Sequence, residues 1–474
     1  MKKNRKLFQY ICLCVICCLL SSFPVDATDI ADKSVTQGCR TLDAATTLIG
    51  QTQLIENCTA ALLYEKNSDT LMYAWNADSQ VYPASLVKIV TAIIAIEKGN
   101  LTDAIVVTDE VLSLIPSDAA SCDLVADEIM TLHDLLYCMM VDSANDAAAV
   151  IAQHISGSQE KFISEMNALA QSLGCTGTQF RNVHGLHDDE QFTTARDISR
   201  ILLYALKNET FQELFTTVDY IVPATNKSEA RSLVTGNYLI SNANSDNVQL
   251  YYDSRVTGGR TGVTDSGERC ILSTAQQDNL SLICVVMGAK SEFDDFGRTK
   301  VYGGYSETSD LLDIAFDGYQ MVQVLYDGQV LDQISVRNGD CALTLGTKSD
   351  VFTVLPDGIT TQQLTFRFTN TGNMLEAPIR NGDNVSDLEI WNGSMCIGQA
   401  ELYAMNNVSH AQDGVREEAP VSTDDNTVEI VILVILAVSI VVFLVYIATR
   451  YFGSLRRIAV RGRSKKRKSV RKRR

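Results

Sequence analysis

The sequence predicts an α+β fold: a domain that mixes helices and strands, followed by a smaller all-β domain and one transmembrane helix. Both helical and strand periodicities occur in the first 300 residues, short alternating apolar runs broken by turn residues extend from about 320 to 405, and a long uncharged segment lies near the C-terminus. The chain has 474 residues, 46% hydrophobic and 20% charged, which suits two or three folded domains and excludes a wholly disordered or collagen-like chain.

The N-terminus has the order of a secretory signal. The basic sequence MKKNRK is followed by an apolar run over residues 7–20 and by the small-residue sequence VDA that ends at Ala27. We therefore expect residues 1–27 to be removed on export. A retained membrane anchor is the alternative, and the shortness of the apolar run argues against it.

Several segments have a clear local pattern. Residues 85–98 predict a helix that Gly99 ends, and helical apolar spacing recurs over 131–155 and 159–173. Residues 255–288 have the pattern of consecutive strands. The first folded region therefore mixes α and β structure.

The uncharged stretch from Ile430 to Ala448 is long enough, at about 1.5 Å per residue, to cross nearly all of a hydrocarbon core of about 30 Å. Acidic residues precede it and a basic tail follows it, so the C-terminus is predicted to be cytoplasmic. The chain between the signal and this helix, residues 28–428 (the body), is predicted to be extracellular. Nucleic-acid binding by the tail is the alternative interpretation, but a stop-transfer flank explains the same residues. The predicted boundaries are a signal over 1–27, the α+β domain over 28–300, the all-β domain over 305–408, an acidic linker over 409–428, the transmembrane helix over 429–449 and a cytoplasmic tail over 450–474.

Charge and cysteine content narrow the function classes. The formal net charge is -17, and the body is more acidic than this value because basic residues concentrate at the two ends. Such a surface repels phosphate, so we expect no nucleic-acid partner for the body. No C-x-x-C spacing occurs in the body, which argues against a zinc ribbon or a thioredoxin-type site, and we expect no metal or cofactor. Cys270 and Cys284 lie in two predicted strands of one hairpin, where a disulfide or two buried thiols both remain open.

The helix predicted over 85–98 contains an unusual pair, Ser85 and Lys88. The helix is apolar on every side and should be buried, and a buried lysine must find polar partners or lose its proton. Three residues after Ser85, Lys88 shares a helix face with the hydroxyl and could accept its proton. The helix N-terminus favours negative charge that develops during attack on a carbonyl. The alternative is an N-cap serine with a solvated lysine, because S-x-x-K alone is a weak pattern.

Two further motifs follow in an informative order. SAN occupies residues 143–145 and RTG occupies residues 260–262, and with S-x-x-K this order resembles the S-x-x-K, S-x-N and K-T-G set of the serine penicillin-recognising enzymes. The sequence NVHGLHDDEQFTTARDIS between them resembles a segment of the serine D-alanyl-D-alanine carboxypeptidases, the low-molecular-mass penicillin-binding proteins. The resemblance covers roughly residues 50–290.

This resemblance implies a fold and a set of roles. The fold would be a penicillin-binding/β-lactamase-like domain, with an antiparallel sheet of about five strands flanked by helices. Ser85 would be the nucleophile and Lys88 the base that activates it. Ser143 would relay a proton to the departing amine, and Asn145 would hold Lys88 and the substrate backbone. The backbone N–H groups of Ser85 and Val263 would hold the oxyanion.

The third motif departs from the family pattern, because Arg260 stands where a lysine is expected. The resemblance implies that Arg260 and the Thr261 hydroxyl bind the free carboxylate of the terminal D-alanine. Arginine is planar, bidentate and effectively never neutral, so any role that needs a compact or neutral ammonium is not carried over.

The expected function is therefore a bacterial membrane-anchored serine carboxypeptidase that trims the terminal D-alanine of peptidoglycan stem pentapeptides and is acylated by β-lactams. A class A β-lactamase is one alternative, but no glutamate between the second and third motifs has an asparagine four residues later. A non-catalytic penicillin-binding or wall-binding scaffold, disabled by Arg260, is another. A metal or Ser-His-Asp site around residues 184–189 is a third, and a glycine between its histidines indicates a loop instead.

Overall fold

The computed structural model describes most of the chain. The described residues are 42–44, 47–50, 52–241, 246–296, 299–369 and 375–411. The predicted signal, transmembrane helix and cytoplasmic tail lie outside these residues, as does almost all of the predicted linker. Within the described residues, no helix combines the length and the apolar character that crossing a bilayer requires. The described residues up to His410 form one compact unit.

The elements up to residue 318 alternate between strands and helices. The strands are β1 Ala60–Glu65, β2 Thr70–Trp75, β3 Ala104–Val106, β4 Ile129–Thr131, β5 Asp219–Val222, β6 Arg231–Val234, β7 Val256–Val263, β8 Glu268–Gln277, β9 Leu280–Lys290, β10 Glu292–Phe293 and β11 Thr299–Val301. The helices are α1 Val87–Lys98, α2 Asp109–Leu112, α3 Leu132–Val141, α4 Asn145–Ser156, α5 Gln159–Ser172, α6 Ala195–Ala205, α7 Glu209–Thr216, α8 Asp246–Tyr251 and α9 Tyr305–Gly318.

Five antiparallel strands form the central sheet in the order β2-β1-β9-β8-β7. Every residue of β1 is buried, and successive side chains enter two different cores because strand side chains alternate between faces. Leu62 packs in the core that contains α1, whereas Leu63 packs in the core on the opposite face. The sheet is thus covered on both sides, as the uninterrupted apolar sequence of β1 requires.

Helix α1 lies at the centre of the first core, as its sequence predicts. Residues from Val87 to Ala95 are all buried, and α3, α4 and α6 contact the helix. Each fully buried Val or Ile side chain contributes about 1.5–3 kcal/mol, whereas a buried charge is costly unless it is hydrogen-bonded. Lys88 therefore needs polar partners that other elements bring to it.

The helical spacing over 131–155 forms two helices, α3 and α4, instead of one. Thr131 caps α3 by accepting a hydrogen bond from the backbone of Asp134. Ser143 then adopts φ of +60°, the left-handed region that an α-helix of L-residues does not continue through. The chain turns at this residue, and Asn145 begins α4. Both polar residues of the second motif therefore lie at a helix start.

The last third of the described chain is mostly β structure, as predicted. Its strands are β12 Tyr319–Leu325, β13 Val330–Ile334, β14 Leu343–Gly346, β15 Val351–Pro356, β16 Leu364–Phe368, β17 Asn384–Asn392 and β18 Met395–Ala404. Five of them form a sheet in the order β13-β14-β18-β17-β16, and β12 pairs with β15. Along β17, Leu388 and Ile390 are buried while Asp387 is exposed, which is the alternation of a sheet with one buried face.

The β strands follow a helix that the sequence assigned to the all-β region. Helix α9 occupies residues 305–318, and its Leu312 shares one core with Leu63 of the central sheet and with Leu355 and Leu388 of the β strands. The second core therefore runs from the outer face of the central sheet into the β region. This continuity makes the β region part of the same compact unit.

The possible disulfide between Cys270 and Cys284 does not form. Both are free, fully buried thiols. Cys270 belongs to the core that contains α1, and Cys284 belongs to the opposite core. In the β8–β9 pairing Cys284 lies opposite Ser273, three residues from Cys270, so the alternation of side chains puts the two sulfurs on different faces of the sheet.

Candidate active site

Ser85 lies in a short 3-10 turn that leads into α1. The residue before it, Ala84, has φ of +48°, a left-handed conformation that non-glycine residues rarely adopt. Two glycines approach the same backbone from other elements. A side chain on Gly185 would clash with the Ala84 carbonyl oxygen, and one on Gly262 would meet the Ser85 amide nitrogen at 2.7 Å. The surrounding chain therefore holds a strained turn that presents the hydroxyl.

Lys88 is 2% exposed, and each of its three N–H groups has an acceptor. Its Nζ lies 3.1 Å from Ser85 Oγ, 2.8 Å from Asn145 Oδ1 and 2.6 Å from the carbonyl oxygen of His184. Residues from the first motif, from the second motif and from the loop of residues 184–186, the HGL loop, thus converge on one ammonium group. The structure brings together Ser85, Lys88 and Asn145.

Desolvation by burial lowers the pKa of Lys88 from 10.5 to about 7, and the nearby charge of Asp146 opposes this shift. Asp146 accepts hydrogen bonds from the Ser121 hydroxyl at 2.6 Å and from the backbone N–H groups of Cys122 and Leu124. These bonds hold the carboxylate in the first turn of α4. Near neutral pH a large fraction of Lys88 is uncharged and able to accept a proton.

Asn145 is fixed by one carbonyl oxygen, that of Ala120. The backbone N–H and the side-chain Nδ2 of Asn145 donate to this oxygen at 2.8 Å and 2.9 Å. The amide is therefore oriented with Oδ1 toward Lys88. Ser143, at the left-handed bend before α4, lines the same cavity as Ser85. Both residues of the second motif lie beside Ser85.

The HGL loop contributes the carbonyl oxygen of His184 to Lys88, and His187, the next residue after the loop, lines the cavity beside Ser85. The carbonyl oxygen of His184 accepts from Lys88, and burial together with the Lys88 charge lowers the pKa of the His184 ring to about 3. Its Nδ1 accepts the backbone N–H of Leu186 at 3.2 Å. His187 pairs with the exposed Asp189. Sequence reasoning found this loop through the resemblance but missed its role, which depends on Gly185 allowing a close approach to the turn that carries Ser85.

Arg260 is 7% exposed and points toward the C-terminal end of α7. Its Nη1 donates to the carbonyl oxygens of Phe215 at 3.1 Å and Gly259 at 2.6 Å, and its Nη2 donates to that of Leu214. The end of an α-helix leaves such carbonyls unpaired and favours a cation, so Arg260 caps the helix. Both Nη atoms are engaged by the fold, and this geometry does not favour the predicted contact with a substrate carboxylate.

Two family models match the chain. The D-alanyl-D-alanine carboxypeptidase model, of the S11 peptidases, matches residues 50–291, and the model of the penicillin-binding protein 5 C-terminal domain matches residues 319–410. The chain belongs to the D-alanyl-D-alanine carboxypeptidase family. The predicted class of enzyme, a serine hydrolase of this kind, is confirmed, and so is the predicted order of an α+β domain and a β domain.

Curated relatives and a solved structure agree with this assignment. The chain is 25% identical over 365 residues to D-alanyl-D-alanine carboxypeptidase DacF of Bacillus subtilis, covering 76% of this chain and 88% of that protein. It is 27% identical over 357 residues to DacA of Haemophilus influenzae, covering 74% and 85%. The structure of penicillin binding protein 5 from Haemophilus influenzae aligns with a TM-score of 0.62 at 26% identity, covering 76% of this chain and all of that one.

In this carboxypeptidase the cleft beside Ser85 is a cavity of about 430 Å³. Ser143 and Asn145 line it from the helical side, and Thr261 and Val263 line it from β7. Of the seven predicted site residues, all except Lys88 and Arg260 thus line this cavity. Lys88 and Arg260 instead border a smaller cavity of about 160 Å³ that also reaches Ser85.

Arg269 is the one Lys or Arg among the described residues that line the larger cavity. Its guanidinium carbon lies 5.4 Å and 5.2 Å from the ring centroids of Tyr302 and Tyr305, so two tyrosines support the cation. Its Nε is buried and has no hydrogen-bond partner among the described residues. Sequence reasoning missed Arg269, because its signal is the β7–β8 register that places it opposite Val263.

Proposed function

We propose that this protein removes the terminal D-alanine from peptidoglycan stem pentapeptides through an acyl-enzyme on Ser85. The observation that carries the proposal is the 3.1 Å contact between Lys88 Nζ and Ser85 Oγ, at a lysine whose pKa is lowered to about 7. An uncharged amine at hydrogen-bonding distance takes the hydroxyl proton without an intermediary.

In the acylation step Lys88 accepts the Ser85 proton while Oγ attacks the carbonyl carbon of the penultimate D-alanine. The backbone N–H groups of Ser85 and Val263 hold the negative charge that develops on the carbonyl oxygen. The C–N bond to the terminal D-alanine then breaks, and the Ser143 hydroxyl relays the proton from Lys88 to the departing amine. Asn145 Oδ1 keeps Lys88 oriented, which its 2.8 Å contact supports.

Water completes the reaction. A water molecule attacks the ester on Ser85, Lys88 accepts one of its protons, and the peptide leaves with a new carboxylate as the proton returns to Oγ. β-Lactams enter the same path as covalent inhibitors, because their amide carbonyl acylates Ser85 and the resulting ester resists water. The family acts on peptidoglycan stem peptides and binds β-lactams, which supports this choice of ligands.

For the substrate carboxylate we assign Thr261 and Arg269. Thr261 lies in the third motif and lines the cavity that Arg269 also lines. A guanidinium that is held by Tyr302 and Tyr305 and lines the cavity beside Ser85 suits a carboxylate that arrives in the cleft. Arg260 then has a positioning role, because it holds the end of α7 against β7.

We propose further that the protein is exported and held in the cell membrane by one helix over residues 429–449, with its C-terminus in the cytoplasm. The uncharged stretch and the basic flank after it support this topology. Full-length chain should sediment with membranes and resist carbonate extraction, and a chain that ends at residue 428 should not. External protease should remove the catalytic region from cells and leave the tail protected. A tail that is digested with the body would overturn this topology.

The deciding experiment is release of free D-alanine from a pentapeptide that ends in D-Ala-D-Ala, with Ser85→Ala as the control. We expect release by the unmutated chain and none by the variant, which should also fail to bind labelled penicillin. Penicillin labelling without D-alanine release would indicate a non-catalytic scaffold. Folded, unmutated protein that shows neither would overturn the assignment of Ser85.

A further inference from the structure

Asp146 is a buried carboxylate that directly follows the second motif, and the proposed reaction assigns it no role. It lies in the first turn of α4 and is 3% exposed. Removing a carboxylate from water is costly unless hydrogen bonds or opposite charges compensate it. The groups that surround Asp146 must therefore supply such bonds.

The loop between α2 and β4 supplies them. Oδ2 of Asp146 accepts the Ser121 hydroxyl at 2.6 Å and the backbone N–H of Leu124 at 3.1 Å. The backbone N–H of Cys122 donates to both carboxylate oxygens, at 3.1 Å and 3.2 Å. Between the two N–H donors, Asp123 adopts φ of +57°, and a left-handed turn of this kind aims successive N–H groups at one anion. This part of the loop is therefore wrapped around the carboxylate.

The same loop fixes Asn145. The carbonyl oxygen of Ala120, the residue before Ser121, accepts both the backbone N–H and the side-chain Nδ2 of Asn145. Asn145 Oδ1 then accepts from Lys88 at 2.8 Å. Two neighbouring residues at the start of α4 thus bind one loop, Asn145 as a donor and Asp146 as an acceptor, so the position of the loop sets the direction of the Asn145 amide.

We propose that Asp146 is a positioning residue for the attack by Ser85, because its carboxylate holds the loop where Ala120 orients Asn145 toward Lys88. The proposal rests on the proposed acylation of Ser85. Asp146 touches neither substrate nor the reacting atoms and acts through Asn145. Its negative charge also opposes the desolvation that lowers the pKa of Lys88 to about 7.

The site requires a carboxylate and not an amide. Oδ2 faces the hydroxyl of Ser121 and the N–H of Leu124, and Oδ1 accepts the backbone N–H of Ala147 at 2.8 Å. In Asp146→Asn one of the two oxygens becomes an NH2 group, which donates hydrogen bonds and accepts none. Either orientation of the amide sets donors against donors, so the loop loses part of its support.

Other ionisable groups face Lys88 and Asp146 from neighbouring elements. They are Asp142 at the end of α3, Cys138 on α3, Cys122 in the loop, Arg260 on β7 and the ring of His184. Burial and the charges of Asp146 and Asp123 raise the pKa of Asp142. Asp142 therefore becomes more ionised when the Asp146 charge is removed, which offsets part of the effect on Lys88. The chain keeps all of these groups in Asp146→Asn.

The test is the rate constant for acylation of the full chain by labelled penicillin, measured between pH 5 and pH 8. In Asp146→Asn the plateau at high pH should fall on the order of ten- to a hundredfold, because Asn145 no longer holds Lys88 in place. The midpoint of the profile should move to lower pH by roughly half to one pH unit, because a charge that favours protonated Lys88 is gone. A loss of stability alone does not move the midpoint.

Two further variants separate charge from geometry. Asp146→Glu keeps the charge and displaces the oxygens, so the plateau should fall while the midpoint stays in place. Glu128→Gln is the matched control, because Glu128 is a buried carboxylate at the other end of the same loop and lines neither cavity. It binds the Thr225 hydroxyl and Arg231. Glu128→Gln should lower the Tm and leave the midpoint unchanged.

Folded Asp146→Asn whose plateau or midpoint matches that of the unmutated protein would overturn the proposal. Where Asp146→Asn fails to fold, Ser121→Ala decides, since Ser121 is exposed and its loss removes one bond to Oδ2. Its plateau should fall about three- to tenfold, and an unchanged plateau would overturn the proposal. Penicillin labelling without D-alanine release would overturn the proposed carboxypeptidase function, whereas the acylation rates would still decide the role of Asp146.

Discussion

Two buried cations lie within one cleft, and their partners differ. Lys88 and Arg260 both line the smaller cavity that reaches Ser85, and desolvation lowers the pKa of each, to about 7 and about 9. Lys88 contacts the Ser85 hydroxyl and the Asn145 amide, whereas the hydrogen bonds of Arg260 go to backbone carbonyls at a helix end. Burial alone therefore does not identify a catalytic cation.

The partner groups separate the two roles. A hydroxyl exchanges protons with a neighbouring amine, so a lysine beside it gains from being uncharged part of the time. Carbonyls at a helix end need a permanent donor, and an arginine whose pKa is about 9 stays charged at neutral pH. This difference predicts loss of chemistry from changes at Lys88 and loss of stability from changes at Arg260.

The largest effect is expected for Lys88→Met, which removes the proposed base and keeps an apolar side chain of similar length. D-alanine release and penicillin acylation should both fall about 10²–10⁴-fold. Lys98→Met is the matched control, since this lysine ends the same helix and pairs at the surface with Glu165. If Lys88→Met is acylated at the normal rate, another residue must act as the base. Lys88 would then not differ from Arg260 in having a chemical role.

The pH dependence of acylation tests the difference between Lys88 and Arg260 in the unmutated protein. Lys88 accepts a proton only when uncharged, so kcat/KM should rise with pH, follow an apparent pKa of about 7 and then level off. Between pH 5 and pH 8 the rise should be about a hundredfold. Arg260 stays charged over this range and should add no inflection. A profile that is flat, or that falls with pH, would contradict a neutral Lys88 as the base.

Arg260→Met should reduce stability more than substrate binding. The carbonyls of Leu214 and Phe215 would lose their donor, and an unsatisfied buried group costs about 1–3 kcal/mol. Thermal unfolding should therefore show a Tm lower by several degrees, while the KM of the folded fraction for the pentapeptide stays close to its original value. Arg367→Met, at an exposed arginine on β16, is the control for loss of an arginine. An unchanged Tm with a raised KM would indicate that Arg260 binds the substrate carboxylate instead.

The same contrast explains what the sequence could predict. Ser85 and Lys88 are one helical turn apart, so local periodicity was enough to place them together. Arg260 was predicted to face the substrate because its motif resembles K-T-G, but the acceptors that hold it come from α7, 45 residues away in the chain. The missing disulfide between Cys270 and Cys284 has a similar cause, since the register that pairs Cys284 with Ser273 is not visible in either strand alone.

Because Arg260 is bound to the end of α7, we expect another cation to bind the terminal carboxylate of the substrate. Arg269→Gln tests whether Arg269 is this cation. Gln keeps a polar side chain but removes the charge-assisted hydrogen bonds, so KM for the pentapeptide should rise about tenfold with little change in Tm. Arg255→Gln is the matched control, because Arg255 is paired with Asp253 and Asp313 and does not line the cavity. A substrate that lacks the terminal carboxylate should bind the unmutated protein and Arg269→Gln equally. An unchanged KM for the pentapeptide in Arg269→Gln, beside a raised KM in Arg260→Met, would reverse the roles assigned to the two arginines.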